Sequence, residues 1–319
     1  MGEIPVIIDT DGGVDDAFAI IYAVKSSVID IKAVTAVSGN TGLDQVCQNI
    51  STILSLSMPG NTIPIGKGEE QPLEKPLFLA ESIHGKDGLG DVGGVPHQVK
   101  VKEALPLIFS MIDQYPNMLT IVAIGPLTNI AKAIQTDPRK MNKVKQLVIM
   151  GGAYTVPGNI SAAAEFNFFV DPHAAQIVME SGIPLTLVGL DIAEKAPLTR
   201  EKLIELHQKY PSPLSQWIID ISAKYMNFYR DQEQFDGCFL HDPLAVAIAE
   251  DPSLAKMEAV HVVVETDGRF TSGLSLADFR RRKDPKLFPP NAQVCLELDQ
   301  ERFYNRFYSI IWEDGRDAV

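Results

Sequence analysis

The chain has 319 residues, of which 45% are hydrophobic and 22% are charged, and its formal net charge is −13. This length can bury a large core, and the composition is that of a folded globular protein rather than a disordered one. The strong negative charge argues against a protein that binds the phosphates of nucleic acids or the surface of anionic membranes. We therefore expect neutral or cationic partners.

Predicted strands and helices alternate along the first two thirds of the chain. Short β-rich apolar runs, most of them followed by a helix-length segment, occupy residues 4–8, 29–37, 119–124, 146–150 and 185–190. This alternation is typical of βαβ units, and runs this apolar indicate strands that are covered on both faces. The pattern predicts an α/β fold with an open, mostly parallel central sheet flanked by helices.

The last third of the chain continues the alternation less regularly. Helices are predicted at residues 213–229, 241–249 and 301–312, and strands at 260–265 and 293–298. Residues 63–100 and 269–291 carry Gly, Pro or basic residues, and we predict long loops there that serve as lids of a pocket. Because no internal repeat or long linker interrupts the chain, we expect a single domain over residues 1–319.

Polar residues follow the predicted strands at the points where the strands end. Asp9, Asp11, Asp15 and Asp16 come at the end of the first run, Asn40 follows the second, and the turn at residues 125–129 follows the third. In an open parallel sheet the ligand crevice lies outside the carboxyl ends of the strands. These residues are therefore the first candidates for a functional site.

The four aspartates lie within eight positions, and no Lys or Arg occurs before residue 25. Like charges this close either change their protonation or share a cation, and an all-oxygen set suits Ca²⁺ or Mg²⁺. The alternative is that these carboxylates favour or cap the N-terminus of the next helix, which accounts for three of them at most. We favour a functional cluster.

The cluster has three further interpretations. An EF-hand loop fails, because the required Gly and Glu positions do not match from either Asp9 or Asp11. A phosphatase of the haloacid-dehalogenase type, with Asp9 as nucleophile and Asp11 as acid/base, stays open, although no Lys closes a strand where its phosphate site needs one. A non-catalytic protein that binds ribose or nucleosides also stays open.

Several motifs in chain order resemble those of the inosine-uridine nucleoside hydrolases, the calcium-dependent nucleoside N-ribohydrolases. Residues 9–17 read DTDGGVDDA, and Gly12 stands where the family usually has Pro, a change that loosens the turn. Further matches extend across nearly the whole chain: SGN at 38–40, GPLTN at 125–129, MGG at 150–152, GN at 158–159, AEFNF at 164–168 and HDP at 241–243. The resemblance implies a Rossmann-like fold and hydrolysis of the N-glycosidic bond of ribonucleosides of the inosine or uridine type, giving ribose and free base.

The resemblance also assigns a metal site. It implies a Ca²⁺ ion held by Asp11, Asp16, Asp242 and the backbone carbonyl of Thr128, with Asp11 as the general base for a calcium-bound water. His241, beside Asp242, is then the acid that stabilises the departing base. A lone His is more often structural, and the neighbouring Asp242 is what favours the catalytic interpretation.

The remaining matched positions divide between the sugar and the base. The predicted ribose-binding residues are Asp15, Asn40, Met150, Asn159, Glu165 and Asn167, and the predicted base-side residues are His84, Phe166, Tyr225 and Tyr229. Core packing is the alternative for the two tyrosines, and either Phe166 or Phe168 is expected to pack against the substrate. Asp9 is expected to lie behind the site and to orient the turn or Asn40.

An acidic pocket suits the positive charge that develops on the ribosyl group, and it repels a 5′-phosphate. We therefore predict nucleosides rather than nucleotides as substrates. Three dispersed cysteines and the absence of a recognisable export signal or membrane span predict a cytoplasmic protein. The resemblance suggests a homotetramer or dimer.

Overall fold

The computed structural model describes residues 3–60, 62–93, 99–280 and 288–313. Its strands are β1 (Ile4–Thr10), β2 (Ile29–Ala36), β3 (Ile65–Lys67), β4 (Val101–Glu103), β5 (Thr120–Ala123), β6 (Gln146–Met150), β7 (Leu185–Val188), β8 (Pro197–Thr199), β9 (Gly237–Phe239), β10 (Ala255–Val260), β11 (Val262–Val264), β12 (Ser275–Ala277) and β13 (Ala292–Leu298).

The helices are α1 (Val14–Lys25), α2 (Leu43–Ser57), α3 (Glu81–His84), α4 (Ala104–Gln114), α5 (Thr128–Thr136), α6 (Pro138–Met141), α7 (Phe166–Val170), α8 (Pro172–Met179), α9 (Leu190–Ala193), α10 (Arg200–Lys209), α11 (Pro213–Glu233), α12 (His241–Glu250) and α13 (Gln300–Trp312). A 3₁₀ turn spans Pro252–Leu254. Among the described residues, no helix combines the length and the apolar character that a membrane span requires.

The main sheet has the strand order β10-β13-β7-β6-β5-β1-β2-β3-β4. Its neighbouring strands run parallel, except for β10, which pairs antiparallel with β13 at one edge. The predicted open, mostly parallel sheet is therefore confirmed. From β1 the chain moves outward to β2, β3 and β4 on one side, and to β5, β6 and β7 on the other. This reversal of strand order at β1 is the position where such sheets bind ligands.

Both faces of the sheet are buried, as the apolar runs predict. Alternate residues of β1 enter opposite cores: Val6 and Ile8 pack in the cluster that includes α1, α2 and α12, whereas Ile7 packs in the cluster that includes α4, α5 and α8. Successive side chains of a strand point to opposite faces, so a strand between two helical layers needs an apolar residue at every position. The sheet therefore holds the carboxyl end of β1 rigidly in the middle of the molecule.

The structure corrects three details of the predicted elements. The strand predicted at 260–265 is interrupted at His261, and β11 leaves the main sheet to pair antiparallel with β12. The loop predicted at 63–100 contains β3 and α3, and the loop predicted at 269–291 contains β12. These elements are three or four residues long, too short for a periodic pattern to mark them. Residues 94–98 and 281–287 of the two predicted loops lie outside the described residues.

Candidate active site

The acidic cluster lies where β1 ends and α1 begins. Gly12, between them, has φ +68, a conformation closed to proline, whose ring holds φ near about −65°. Its amide donates to Thr10 Oγ1 at 3.2 Å, and its carbonyl oxygen accepts from Asn49 Nδ2 at 2.8 Å. The turn therefore has a conformation that proline cannot adopt, and two hydrogen bonds anchor it.

Three buried carboxylates meet at this turn. Asp15, Asp16 and Asp242 each contribute one carboxylate oxygen to a group of three oxygens that lie within 4.8 Å of one another. Asp15 and Asp16 belong to the first turn of α1, and Asp242 belongs to the first turn of α12. Asp15 Oδ1 is buried and has no hydrogen-bond partner. Such a set of desolvated oxygens fits a hard divalent cation, which would supply the missing partner and offset the repulsion.

Asp11 is joined to this group through Asn40. The backbone amide of Asn40 donates to Asp11 Oδ2 at 2.8 Å, and its side-chain Nδ2 donates to Asp11 Oδ1 and Asp16 Oδ2 at 3.0 Å each. Thr128, the first residue of α5, is buried, and its hydroxyl donates to Asp171 at 2.7 Å. The geometry thus groups Asp15 with Asp16 and Asp242 more closely than the sequence suggested, with Asp11 beside them.

Burial and mutual repulsion control the protonation of the cluster. Burial, followed by the charge of Asp16, raises the pKa of Asp11 well above its ordinary value, and burial, followed by the charge of Asp15, does the same to the pKa of Asp242. The same causes raise the pKa of Asp16 to about 6. Burial opposes ionisation of Asp15 too, but the nearby imidazoles of His241 and His84 outweigh it and lower the pKa of Asp15. Asp15 is therefore the carboxylate that stays ionised most readily.

A cleft lies above the cluster. The empty space in it, including its open mouth, is about 450 Å³. Its lining residues are Asp15, Asn40, Ala80, Ile83, His84, Ile124, Met150, Asn159, Glu165, Phe166, Asn167, Tyr225, Tyr229, His241 and Asp242. All of them except Ala80, Ile83 and Ile124 are residues that the sequence predicted for the site.

Two of the predicted ribose residues, Glu165 and Asn167, form one end of the cleft. Glu165 caps α7, and its carboxylate accepts hydrogen bonds from the backbone amides of Gly152, Asn167 and Phe168 at 2.8–3.2 Å. Burial raises the pKa of Glu165. Asn167 Nδ2 donates to the carbonyl oxygens of Ile124 and Met150 at 3.2 and 3.1 Å. These bonds hold the polar side chains in place before any ligand arrives.

The two phenylalanines of the AEFNF motif have different environments. Phe166 is partly buried and lines the cleft, whereas Phe168 is completely buried in the core. Asn159 Oδ1 accepts from the backbone amide of Phe166 at 3.0 Å and so fixes the rim of the cleft. Of the two, Phe166 is the one with access to a ligand.

Two imidazoles and two tyrosines form the opposite end. The ring of His84 stacks on Tyr225 at 4.8 Å, and its Nδ1 accepts from the backbone amide of Val14 at 3.2 Å. That bond requires an unprotonated Nδ1, and burial lowers the pKa of His84, so the neutral ring with its proton on Nε2 is favoured. The hydroxyl of Tyr225 lies 3.4 Å from both Asp15 Oδ2 and the hydroxyl of Tyr229. The tyrosines are buried, yet their polar ends reach the cleft.

His241 completes this end. Its Nδ1 lies 3.6 Å from Asp15 Oδ2, and its ring stacks on Phe239 at 5.8 Å. Its Nε2 is buried without a hydrogen-bond partner. A polar atom that is desolvated in this way at a cleft is well suited to contact a ligand.

Comparison with known proteins decides which chemistry this cleft performs. Residues 6–305 match the family described as inosine-uridine preferring nucleoside hydrolase. The chain belongs to this family. The pyrimidine-specific ribonucleoside hydrolases RihA of Citrobacter koseri and Salmonella arizonae are 36% and 35% identical over 304 residues, which cover 94% of this chain and 95% and 96% of those proteins.

Solved structures of nucleoside hydrolases have the same fold. The plant nucleoside hydrolase PpNRh1 superimposes with a TM-score of 0.89 at 33% identity, over 97% of this chain and 99% of that one. A purine-preferring ribonucleoside hydrolase from Gardnerella vaginalis gives a TM-score of 0.89 at 32% identity, over 98% of this chain and all of that one. The chain is thus a nucleoside N-ribohydrolase with the Rossmann-like fold that its motifs predicted.

Asp9 has a different role in this nucleoside hydrolase from those considered for it. Its carboxylate is fully buried and accepts from Thr35 Oγ1 and, at 2.7 Å, from Asn129 Nδ2. Its side chain therefore binds neither the turn between β1 and α1 nor Asn40, which corrects that expectation. Burial raises the pKa of Asp9 to about 7. Because Asp9 does not line the cleft, it has no access to a phosphoryl group, and the phosphatase interpretation is not favoured.

Sequence reasoning missed several residues that shape the site of this nucleoside hydrolase. Thr10 donates its hydroxyl to Asp16 Oδ1. Ile124 is the last residue of the strand predicted at 119–124 and directly follows the observed β5, so the topology alone pointed to it. Ala80 and Ile83 are apolar residues in an irregular segment, and nothing in the sequence distinguishes them from core residues.

Proposed function

We propose that this nucleoside hydrolase depends on Ca²⁺ and uses Asp11 as its general base and His241 as the acid for the departing base. Hydrolysis of the N-glycosidic bond of ribonucleosides follows from the family. One observation supports the proposed metal and catalytic residues. Buried carboxylates meet at the switch point of the sheet, and Asp15 Oδ1 among them lacks a hydrogen-bond partner. The cleft beside them is lined by polar residues proposed for the sugar and by imidazoles proposed for the base.

The proposed ligands are Asp11, Asp16, Asp242 and the carbonyl oxygen of Thr128, with Asp15 close enough to contribute. When bound, Ca²⁺ would offset the repulsion between the carboxylates and make a water molecule more acidic. Asp11 would take the proton of the attacking water, and Asn40, which donates hydrogen bonds to both of its carboxylate oxygens, would hold it in place.

The sugar end would stabilise the charge that develops on the ribosyl group. Asp15, Asn167 and Asn40 would hold the 2′ and 3′ hydroxyls, and Glu165 with Asn159 would hold the 5′ hydroxyl. Met150 and Phe166 would pack against the sugar or the base. The surrounding carboxylates favour an oxocarbenium-like group and disfavour a 5′-phosphate. Nucleosides are therefore the proposed substrates, not nucleotides.

The base end would protonate or otherwise stabilise the leaving group. His241 Nδ1 faces Asp15, which leaves Nε2 to contact the base. His84, Tyr225 and Tyr229 would surround the base and offer further polar contacts. The polar character of this end and the pyrimidine specificity of the RihA relatives support acceptance of pyrimidine ribonucleosides such as uridine.

A reducing-sugar assay tests the proposal. Purified protein is treated with a chelator and assayed with uridine, cytidine, inosine, adenosine and uridine 5′-monophosphate, before and after Ca²⁺ or Mg²⁺ is added. We expect ribose release from at least uridine, restored by Ca²⁺ and undetectable from the monophosphate. Full activity in excess chelator, or preference for the monophosphate, contradicts the proposal.

Assembly and location complete the proposal. We propose a homotetramer or dimer that works in the cytoplasm, and the three buried, unpaired cysteines support a reducing compartment. Light scattering coupled to size-exclusion chromatography measures the mass in solution. A particle of 35.0 kDa, the mass of one chain, contradicts the oligomer.

A further inference from the structure

The segment after His84 forms a compact loop, residues 85–93, which we call the base-side loop. Asp87 organises it: Oδ1 accepts from the amides of Leu89 and Asp91 at 2.8 and 2.9 Å, and Oδ2 accepts from the amide of Gly93 at 3.0 Å. The amide of Gly90 donates to the carbonyl oxygen of His84 at 2.7 Å. The position of His84 therefore depends on where this loop is held.

One buried side chain joins the base-side loop to the turn that carries the acidic cluster. Asn49, on α2, is 2% exposed, and its Nδ2 donates to the carbonyl oxygen of Gly12 at 2.8 Å and to that of Asp87 at 2.7 Å. Its Oδ1 accepts from Gln45 Nε2 at 2.9 Å. The side-chain amide of Asn49 thus donates one hydrogen bond to the acidic turn and one to the base-side loop.

The outer side of the base-side loop rests on α11, the helix of Tyr225. Gly90 lies so close to α11 that a Cβ there would be 2.4 Å from the carbonyl oxygen of Ile221. Lys224 Nζ forms an ion pair with Asp91 Oδ2 at 2.5 Å, with 37% and 44% of the two side chains exposed. Salt screens an exposed pair of this kind, so it holds the loop less firmly than the two buried bonds of Asn49.

We propose that Asn49 is a positioning residue for the departure of the base. By fixing the base-side loop to the acidic turn, it keeps the stacked His84 and Tyr225 at a set distance from Asp15. This inference rests on the proposed function for its catalytic consequence, but the structural link is independent of substrate and metal. Asn49 touches neither, so its effect is transmitted through the loop.

Hydrogen exchange tests the structural link without an activity assay. Asn49→Leu keeps the size of the side chain and removes both donors, and we expect exchange of the amides of Leu89 and Asp91 to rise about tenfold. Gln45→Leu is the matched control, because it removes the bond to Oδ1 and leaves both bonds of Nδ2. Unchanged exchange of the base-side loop in Asn49→Leu overturns the proposal, even if the enzyme proves inactive or independent of metal.

Kinetics distinguish positioning from general structural damage. Uridine needs its base stabilised as it leaves, whereas 4-nitrophenyl β-ribofuranoside expels a stable phenolate that needs no proton. We expect Asn49→Leu to lower kcat for uridine about tenfold and kcat for the nitrophenyl riboside less than about threefold, with Gln45→Leu close to wild type on both. An equal loss on the two substrates shows damage to the acidic turn and overturns the positioning role.

A second variant keeps the test valid if Asn49→Leu does not fold. Asn49→Ser makes a smaller change, and its short side chain cannot span the two carbonyl oxygens. The same tenfold rise in exchange at Leu89 and Asp91 is expected. Wild-type exchange in Asn49→Ser, in a protein whose circular dichroism matches wild type, contradicts the proposal.

Discussion

His241 faces Asp15 with one ring nitrogen and leaves the other without a partner: Nδ1 lies 3.6 Å from Asp15 Oδ2, and Nε2 is buried and unbonded. A carboxylate that contacts one nitrogen of an imidazole orients the ring and favours a proton on it. The same carboxylate also lies in the group of three that fits a cation. Asp15 therefore connects the metal side of the cleft with the base side.

His241→Gln tests the base-side half of this relationship. The change removes the titratable ring while keeping a polar side chain, and we expect kcat for uridine to fall by about 100-fold or more, the usual contribution of a general acid. Hydrolysis of 4-nitrophenyl β-ribofuranoside, whose leaving group needs no proton, should fall less than tenfold by the same reasoning. Equal losses on both substrates contradict the assignment of His241 as the leaving-group acid.

Asp242→Asn tests the metal side. The chelated variant should be at least as stable as chelated wild type, because one of several mutually repelling carboxylates is gone. Saturating Ca²⁺ should raise the melting temperature of wild type, as any ligand that binds only the folded chain does, and should barely raise that of the variant. Activity should fall at least about a hundredfold. A normal Ca²⁺-induced shift in the variant removes Asp242 from the ligand set.

The stability of the chelated protein should fall as the pH rises from about 4 to about 7. The folded-state pKa values of Asp11 and Asp242 are raised well above 3.8 and that of Asp9 to about 7, so protonation of these groups favours the folded chain. Their stabilisation is complete at low pH and is lost as the pH passes through the folded-state values. Asp15, with its lowered pKa, contributes the opposite trend only at acidic pH.

Denaturant unfolding at several pH values in chelator measures this effect. A slope of about 1.4 kcal/mol per pH unit corresponds to one more proton bound by the folded chain than by the unfolded chain. Repeating the series in saturating Ca²⁺ is the control, because a bound cation favours the ionised carboxylates and should flatten the slope. A chelated protein that gains stability with pH over this range contradicts the raised pKa values.

The sequence predicted the location of the site better than its internal arrangement. Parallel strands bring residues that follow them to one edge of the sheet, so Asp11, Asn40 and the turn at 125–129 were expected together before any side chain was placed. Which carboxylates lie nearest one another depends on the turn at Gly12, whose positive φ sets the entry into α1. Chain topology is visible in apolar runs, whereas a single backbone angle is not.

The contacts between segments far apart in sequence were also beyond prediction. Asn49 is one polar residue in an amphipathic helix, and only its two carbonyl partners, Gly12 and Asp87, distinguish it from an ordinary surface amide. β11 lies within the strand predicted at 260–265, but β12 and its pairing with β11 were missed because β12 is three residues long. Short elements and long-range amide bonds leave no periodic signal in a sequence.

Phe166 and Phe168 should respond differently to truncation. Phe168→Ala empties a fully buried position, and we expect a loss of about 3–5 kcal/mol in the free energy of unfolding. Phe166→Ala removes a partly exposed wall of the cleft, so it should raise KM for uridine about tenfold while costing about 1 kcal/mol or less. Denaturant unfolding and steady-state kinetics on both variants check this. A large loss of stability in Phe166→Ala together with a raised KM in Phe168→Ala would show that Phe168, not Phe166, contacts the substrate.

Asp9→Asn and Asp11→Asn distinguish a hydrolase from a phosphatase, because the proposed hydrolase needs Asp11 as its base whereas a phosphatase would need Asp9 as its nucleophile. Asp9 Oδ1 already accepts two hydrogen bonds and Oδ2 has none, so an asparagine that keeps its oxygen at Oδ1 replaces it with little change. We expect Asp9→Asn to keep uridine hydrolysis within about threefold, since no bond is lost. Asp11→Asn should lose at least about 100-fold, because the proposed base is gone. Ribose and phosphate release are measured on both variants. Loss of activity in Asp9→Asn at wild-type stability would show that Asp9 takes part in the chemistry.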